Sequence, residues 1–181
     1  MMCILLLSAA LVGTIQAQSN KKILIAYFSW GGSTREIAKQ IQKQTDGDLF
    51  EITVSNPYPA GYDECVKQAK KEQQTNARPA FTAEVKNMNA YDVVFVGYPN
   101  WWGTMPMVLF TFLEKYDLSG KTIIPFCTHG SGRWGRSLDD LKKMLPNSTI
   151  LDGFAIAGNM VRNSKDEVAK WLQKTGVANK K

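Results

Sequence analysis

The feature that most constrains the fold is an alternation of short apolar runs with longer segments of helical period. Residues 23–28 form a continuous apolar run of six, which is typical of a strand covered on both faces. In the segment that follows, Ile37, Ala38 and Ile41 fall on one side of a helix, and lysines and a glutamine fall on the other. Strands that alternate with crossover helices in this way form a parallel sheet.

The pattern predicts five strands and five helices. The predicted strands are residues 23–28, 49–54, 91–98, 122–127 and 150–157. The predicted helices are residues 33–44, 62–74, 105–116, 135–144 and 164–174. No internal repeat, low-complexity tract or interdomain linker interrupts them. We therefore expect residues 18–181 to form one α/β domain, a three-layer αβα sandwich around a five-stranded parallel sheet.

The first 17 residues differ from the rest because they contain no charged side chain. Their apolar run, residues 3–12, is too short to span a bilayer stably. Ile15 and Ala17 stand at the −3 and −1 positions of a cleavage site. We expect residues 1–17 to be a secretory signal peptide and the mature protein to be exported to a bacterial periplasm. A buried N-terminal helix in a cytoplasmic protein, or a misplaced start codon, is the alternative.

Composition and charge disfavour several classes of function. Hydrophobic residues at 44% and charged residues at 21% are ordinary for a globular domain. The net charge of +6 is not gathered into a basic stripe, so we expect no nucleic-acid partner. One histidine and three cysteines give no zinc-ligand spacing, and a hydrolase elbow of the Gly-x-Ser-x-Gly type is absent. Cys65 and Cys127 are expected to be buried thiols, although an oxidising compartment would permit a bridge.

The loop at residues 29–34 lies between the first predicted strand and the first helix. Its sequence SWGGST combines two glycines with three hydroxyls, and the helix that begins there supplies free N–H groups and a positive dipole end. These features suit a phosphate group. Because no lysine follows the glycines as in a Walker loop, a phosphate monoester is favoured over a nucleoside triphosphate. An ordinary Gly-Ser turn before a helix is the alternative.

Two further loops follow the third and fourth predicted strands. Residues 99–106, PNWWGTMP, place two adjacent tryptophans where a flat aromatic ligand would stack, unless both indoles pack on neighbouring helices. Residues 128–135, THGSGRWG, match a G-x-G-x-x-G pattern. A dinucleotide fingerprint belongs to the first βαβ unit, however, so a glycine-rich wall beside a ligand is the favoured interpretation here.

Together the three loops resemble one family. The segment YFSWGGSTREIA is similar to the phosphate loop of bacterial flavodoxin-like proteins, in which a strand ends in Y-F-S and continues as W-S-G-N-T-R. The segments VGYPNWWGTMP and PFCTHGSG resemble the flavin-ring loops of that family, and the likeness extends from residue 22 to about residue 158. The resemblance implies a flavodoxin-like fold with strand order 2-1-3-4-5 and one non-covalently bound FMN.

By position, the resemblance also implies which residues contact FMN. Those matched to the phosphate loop are Ser29, Trp30, Gly32, Ser33 and Thr34. Those matched to the isoalloxazine ring are Pro99, Asn100, Trp101, Trp102 and Gly103. Those matched to the pyrimidine side of the ring are Thr128, His129, Gly130 and Gly132.

Two functions are compatible with this resemblance. The first is electron transfer through the flavin to a redox partner protein or a small electron acceptor. The second is an FMN-dependent NAD(P)H:quinone-type reductase. The positive net charge disfavours an acidic type of carrier, but it leaves open a reductase or a carrier with an acidic partner.

Overall fold

The computed structural model describes residues 21–178, so the predicted signal peptide at residues 1–17 lies outside the described residues. Strands and helices alternate as the sequence predicts. The strands are β1 Ile23–Tyr27, β2 Asp48–Glu51, β3 Val93–Pro99, β4 Thr122–His129, β5 Thr149–Ile150 and β6 Phe154–Ala157. The helices are α1 Ser33–Thr45, α2 Tyr62–Gln74, α3 Met107–Lys115, α4 Ser137–Met144 and α5 Lys165–Thr175. Short 3-10 helices span Met88–Ala90 and Gly158–Asn163.

The strands form one parallel sheet in the order β2-β1-β3-β4-β5, which confirms the expected order. In the register of the sheet, Tyr27 lies beside Gly97, and Tyr98 lies beside Cys127. The carboxyl ends of β1, β3 and β4 therefore meet at the same edge. A ligand site is expected at this edge in open sheets of this kind.

The predicted fifth strand, residues 150–157, is wrong in one respect because it is divided into β5 and β6, which both pair with β4. Ile123 pairs with Ile150, whereas Phe126 pairs with Phe154, so the outer strand has one residue more between the two pairs. Pro125 explains the break. Its backbone groups point toward the outer strand, as those of Ile123 two residues earlier do. Proline has no N–H to donate to that strand.

Hydrophobic residues cover both faces of the sheet, which makes three layers. One core lies between the sheet and helices α1 and α5, and includes Ile37, Ile41 and Leu172. The other lies between the sheet and helices α2, α3 and α4, and includes Phe112 and Leu141. β1, β3 and most of β4 are buried on both faces, as continuous apolar runs predict.

Several boundaries differ from the prediction in ways that affect the site. β3 extends to Pro99 and β4 to His129, so residues expected in loops are the last residues of strands. α3 begins at Met107 rather than at residue 105, because Pro106 takes the position before the first helical turn. β2 ends at Glu51, earlier than predicted.

Within residues 21–178, no helix has the length and apolar character needed to cross a membrane.

Candidate functional site

The three predicted loops converge on one cleft of about 590 Å³ at the carboxyl ends of β1, β3 and β4. This volume lies within the range of sites for small molecules and cofactors. The predicted residues that line the cleft are Ser29, Trp30, Ser33, Thr34, Pro99, Asn100, Trp101, Thr128, His129 and Gly130. The topology thus brings together segments that are far apart in the sequence.

Four of the predicted residues do not line this cleft. Gly32 lines an adjoining polar groove of about 490 Å³. Trp102 turns toward α2, where its indole N–H donates to a backbone carbonyl. Gly103 accepts a backbone hydrogen bond at 2.7 Å from the start of the α4 region, and Gly132 lies against the side chain of Asn100. Gly103 and Gly132 therefore contact neighbouring loop residues rather than the cleft.

The first loop is arranged for an anion. Ser29 Oγ accepts the N–H of Gly32 at 3.1 Å and that of Arg35 at 3.3 Å, which folds the loop back on itself. Gly32 precedes α1 in a left-handed conformation with φ 88° and has no side chain to cap the helix, so Ser29 Oγ satisfies only the N–H of Arg35 in the first turn. The N–H groups of Ser33 and Thr34, in the first turn, are therefore available to a ligand. Such a helix start attracts negatively charged groups.

A hydrogen bond joins the first loop to the third. The hydroxyls of Thr34 and Thr128 lie 2.8 Å apart, and both residues are buried. Either hydroxyl can be the donor in this bond, and the backbone N–H of Thr34 remains available to an anion in addition. The bond therefore links the first turn of α1 to the carboxyl end of β4, on the wall of the cleft.

The second loop is held by its own side chains. Asn100 Oδ1 accepts the N–H of Gly103 at 3.0 Å, and Asn100 Nδ2 donates to the carbonyl of Arg133 at 2.7 Å. The indole of Trp101 packs edge-on against the rings of Phe28 and Tyr58, with centroids 5.4 and 5.0 Å apart. Trp101 is thus partly buried in the core and still forms part of the cleft wall.

His129 carries the one buried side-chain nitrogen or oxygen without a hydrogen-bond partner among residues 21–178, its Nδ1. This imidazole stands at the end of β4 and lines the cleft. A buried polar atom without a partner costs free energy unless a ligand or water satisfies it. His129 therefore lines the cleft as a residue, while its Nδ1 is enclosed by the protein and has no hydrogen-bond partner there.

Sequence reasoning missed four residues that also line the cleft. They are Gly31, Tyr62, Gly158 and Asn159. Gly158 and Asn159 follow β6 at the same edge of the sheet, so the position after the last strand could have indicated them. Tyr62 starts α2 and reaches the cleft from the long segment after β2, for which no sequence pattern predicts a direction.

The chemistry of the cleft is that of neutral donors and aromatic rings. Its lining within residues 21–178 contains no lysine, arginine, aspartate or glutamate. No cluster of potential metal ligands occurs in the described part of the chain.

Cys65 and Cys127 are both free and buried, as expected, and burial raises the pKa of Cys127 to about 12. Cys127 is therefore a protonated thiol at neutral pH.

These features fit the cofactor that the resemblance implies. The start of α1, with the N–H groups of Ser33 and Thr34 free, shares one cleft with an aromatic wall, and FMN contains a phosphate and a flat ring system. The cleft is also large enough for a molecule of that size.

Comparison with known proteins identifies the family of the chain. The family model described as Flavodoxin matches residues 22–175. A crystallised protein of Bacteroides eggerthii, provisionally described as a flavoprotein, is 34% identical with a TM-score of 0.74, over 84% of this chain and 96% of its own. A similarly described protein of Bacteroides uniformis is 30% identical with a TM-score of 0.76, over 84% and 98%.

A flavoprotein of Lactobacillus acidophilus, crystallised in complex with FMN, is 24% identical with a TM-score of 0.65, over 79% of this chain and 97% of its own. At this identity the likeness shows the fold. None of the curated proteins matches the chain. Because the family model covers most of the sequence and two solved structures reach 30% identity or more, the chain belongs to the flavodoxin family.

Proposed function

We propose that this protein binds one FMN non-covalently in the cleft and transfers electrons through it to a redox partner. The observation that supports the proposal is the convergence of three loops on one cleft, with two free N–H groups of the first turn of α1 in its wall and aromatic rings beside it. The FMN complex of the Lactobacillus acidophilus flavoprotein supports the choice of cofactor.

The phosphate would be held by the loop between β1 and α1. The N–H groups of Ser33 and Thr34 point from the first turn of α1, and Ser29 keeps the loop folded through two hydrogen bonds. Such neutral donors bind a phosphate monoester without transferring it. Gly31 is exposed and has no atom within 4 Å of the place where a side chain would start, so the backbone can approach the phosphate closely.

The flavin ring would lie against the second and third loops. Pro99, Asn100 and Trp101 form one wall, and Thr128, His129 and Gly130 form another. When bound, FMN supplies one- or two-electron transfer, and the protein sets access and polarity around it.

The test is a titration of cofactor-free protein with FMN, followed by flavin fluorescence. We expect saturation at one equivalent, and AMP at the same concentration should not compete because it lacks the flavin ring. Steady-state turnover with NADPH and menadione separates carrier from reductase. A carrier consumes no appreciable NADPH, whereas sustained NADPH oxidation would contradict the carrier and support the reductase. Failure of FMN to bind at micromolar concentration would refute the assignment of the cleft.

We also propose that residues 1–17 direct export, on the strength of their uncharged apolar sequence and the small residue at position 17. N-terminal sequencing of the protein recovered from a periplasmic fraction tests this. A mature chain that begins at Gln18 is expected. An intact Met1 in the cytoplasmic fraction would contradict export.

A further inference from the structure

A second, smaller pocket lies beside the cleft, between α2 and the loop after β3. Its volume is about 280 Å³. Four residues belong to both the pocket and the cleft, so the two share a wall: Trp30, Tyr62, Asn100 and Trp101. The far side of the pocket is formed by Trp102 and by the start of α2, including Val66. No residue of the phosphate loop other than Trp30 reaches it.

The aromatic side chains around this pocket are exposed to an unusual degree. Trp30 is 37% exposed, Tyr62 72% and Trp102 45%, whereas large aromatic rings are mostly buried in folded domains. Three such rings around one pocket form an exposed apolar patch, and such patches mark sites of interaction.

The exposed indoles are nevertheless held in place. Trp30 Nε1 donates to the carbonyl of Pro59 at 3.0 Å, and Trp102 Nε1 donates to the carbonyl of Val66 at 3.1 Å. The ammonium group of Lys70 lies 4.8 Å from the centre of the Trp102 ring. Rings that are fixed before a ligand arrives lose little conformational entropy on binding.

The backbone at Trp102 is strained. Its φ of +53° places a bulky residue in the left-handed region, which glycine and asparagine adopt far more readily. Such strain in a folded protein is concentrated at functional sites. At this position the strained backbone places an exposed indole in the wall of the pocket. Glycine or asparagine would adopt the same backbone conformation with less strain.

From the size, the aromatic lining and the strain, we infer that this pocket binds a flat, uncharged aromatic molecule of one or two fused rings. The volume is below that of typical drug-sized sites, which limits the ligand to about that size. Stacking against indole and phenol rings favours an aromatic over an aliphatic ligand. The inference rests on the proposed function only in that the ligand would lie across a shared wall from FMN.

The experiment is isothermal titration calorimetry of FMN-saturated protein with menadione, an uncharged two-ring quinone. We expect one site in the wild type and at least tenfold weaker binding in Trp102→Asn, which removes the ring and tolerates the left-handed backbone. Far-UV circular dichroism and urea unfolding of Trp102→Asn provide the folding control, because the substitution relieves strain but also removes the contacts with Val66 and Lys70. Tyr62→Ser, at a highly exposed position, should also weaken binding, whereas Met160→Ala, another exposed apolar side chain, should not.

Two outcomes would overturn the inference. Menadione that binds only when FMN is absent would mean that the pocket is part of the FMN site. Equal affinity in wild type and Trp102→Asn would mean that the ligand binds elsewhere. The FMN titration of the wild type tests the proposed function separately. If FMN does not bind at all, menadione binding that depends on Trp102 in the cofactor-free protein would still support the pocket.

Discussion

A single charge placed in the phosphate loop provides a sharp test of where the phosphate binds. Gly31 is exposed and lines the cleft. It lacks a positive φ, and no atom lies within 4 Å of a Cβ built on it. Gly31→Asp should therefore fold normally and introduce a carboxylate beside the proposed phosphate position. Gly31→Asn is the matched control, since it has the same shape without the charge.

The size of the effect follows from electrostatics. Two unit charges 4 Å apart repel by about 1 kcal/mol in water and more in a less polar environment. A phosphate monoester carries about −1.5 to −2 charges at neutral pH. At low ionic strength, FMN binding to Gly31→Asp should be weaker than binding to Gly31→Asn by about 1–2 kcal/mol, or about 5- to 30-fold in dissociation constant.

Riboflavin provides the second control because it lacks the phosphate. Fluorescence titrations with both flavins and both variants give four dissociation constants. The aspartate should weaken FMN binding and leave riboflavin binding unchanged relative to the asparagine. Equal loss for both flavins would point to a distorted loop, and no loss for FMN would refute the placement of the phosphate beside Gly31.

Three further predictions concern stability and reactivity. Gly97→Ala would place a Cβ in steric conflict with the buried ring of Phe126, so we expect a loss of about 1–3 kcal/mol in urea unfolding, partly recovered by adding Phe126→Leu. Burial acts to raise the pKa of Glu51, but hydrogen bonds, chiefly from Arg35 at 2.9 Å, lower it overall. A carboxylate whose pKa is lower in the folded than in the unfolded protein stabilises the fold at pH values above its unfolded pKa, and this contribution is lost as the pH falls through its folded pKa. The stability advantage of wild type over Glu51→Gln, about 1 kcal/mol at pH 7, should therefore shrink toward pH 3. Cys127, with its pKa raised to about 12 by burial, should resist thiol labelling at pH 8 until guanidinium is added, as mass spectrometry of that residue would show.

Local sequence patterns predicted most of the fold because strands buried on both faces are continuous apolar runs. β1 and β3 stand out for this reason, and α2 begins and ends where its periodicity predicts. The division of the outer strand was not predictable in the same way. It depends on which neighbouring strand the backbone of Pro125 points toward. The register of β4 against β5 decides this, and no local sequence pattern shows it.

The candidate site could be predicted to the level of loops rather than of side chains. The order of strands places the loops after β1, β3 and β4 together, and the structure agrees. Trp101 and Trp102 are adjacent and alike in sequence, yet one packs into the core and the other lies exposed on α2. The left-handed backbone at Trp102 makes this difference, and no pattern predicts a bulky residue in that conformation.

The charged residues at positions 21–178 lie away from the lining of the cleft. The net charge is +6, yet no charged residue lines the cleft within the described part of the chain. Glu36 and Arg162, of opposite sign, line the adjoining groove instead. If FMN binds here, its phosphate meets neutral N–H donors and the dipole of α1 rather than a lysine. If the proposed electron transfer uses an acidic partner, reversing surface lysines to glutamate should therefore weaken partner association far more than cofactor affinity.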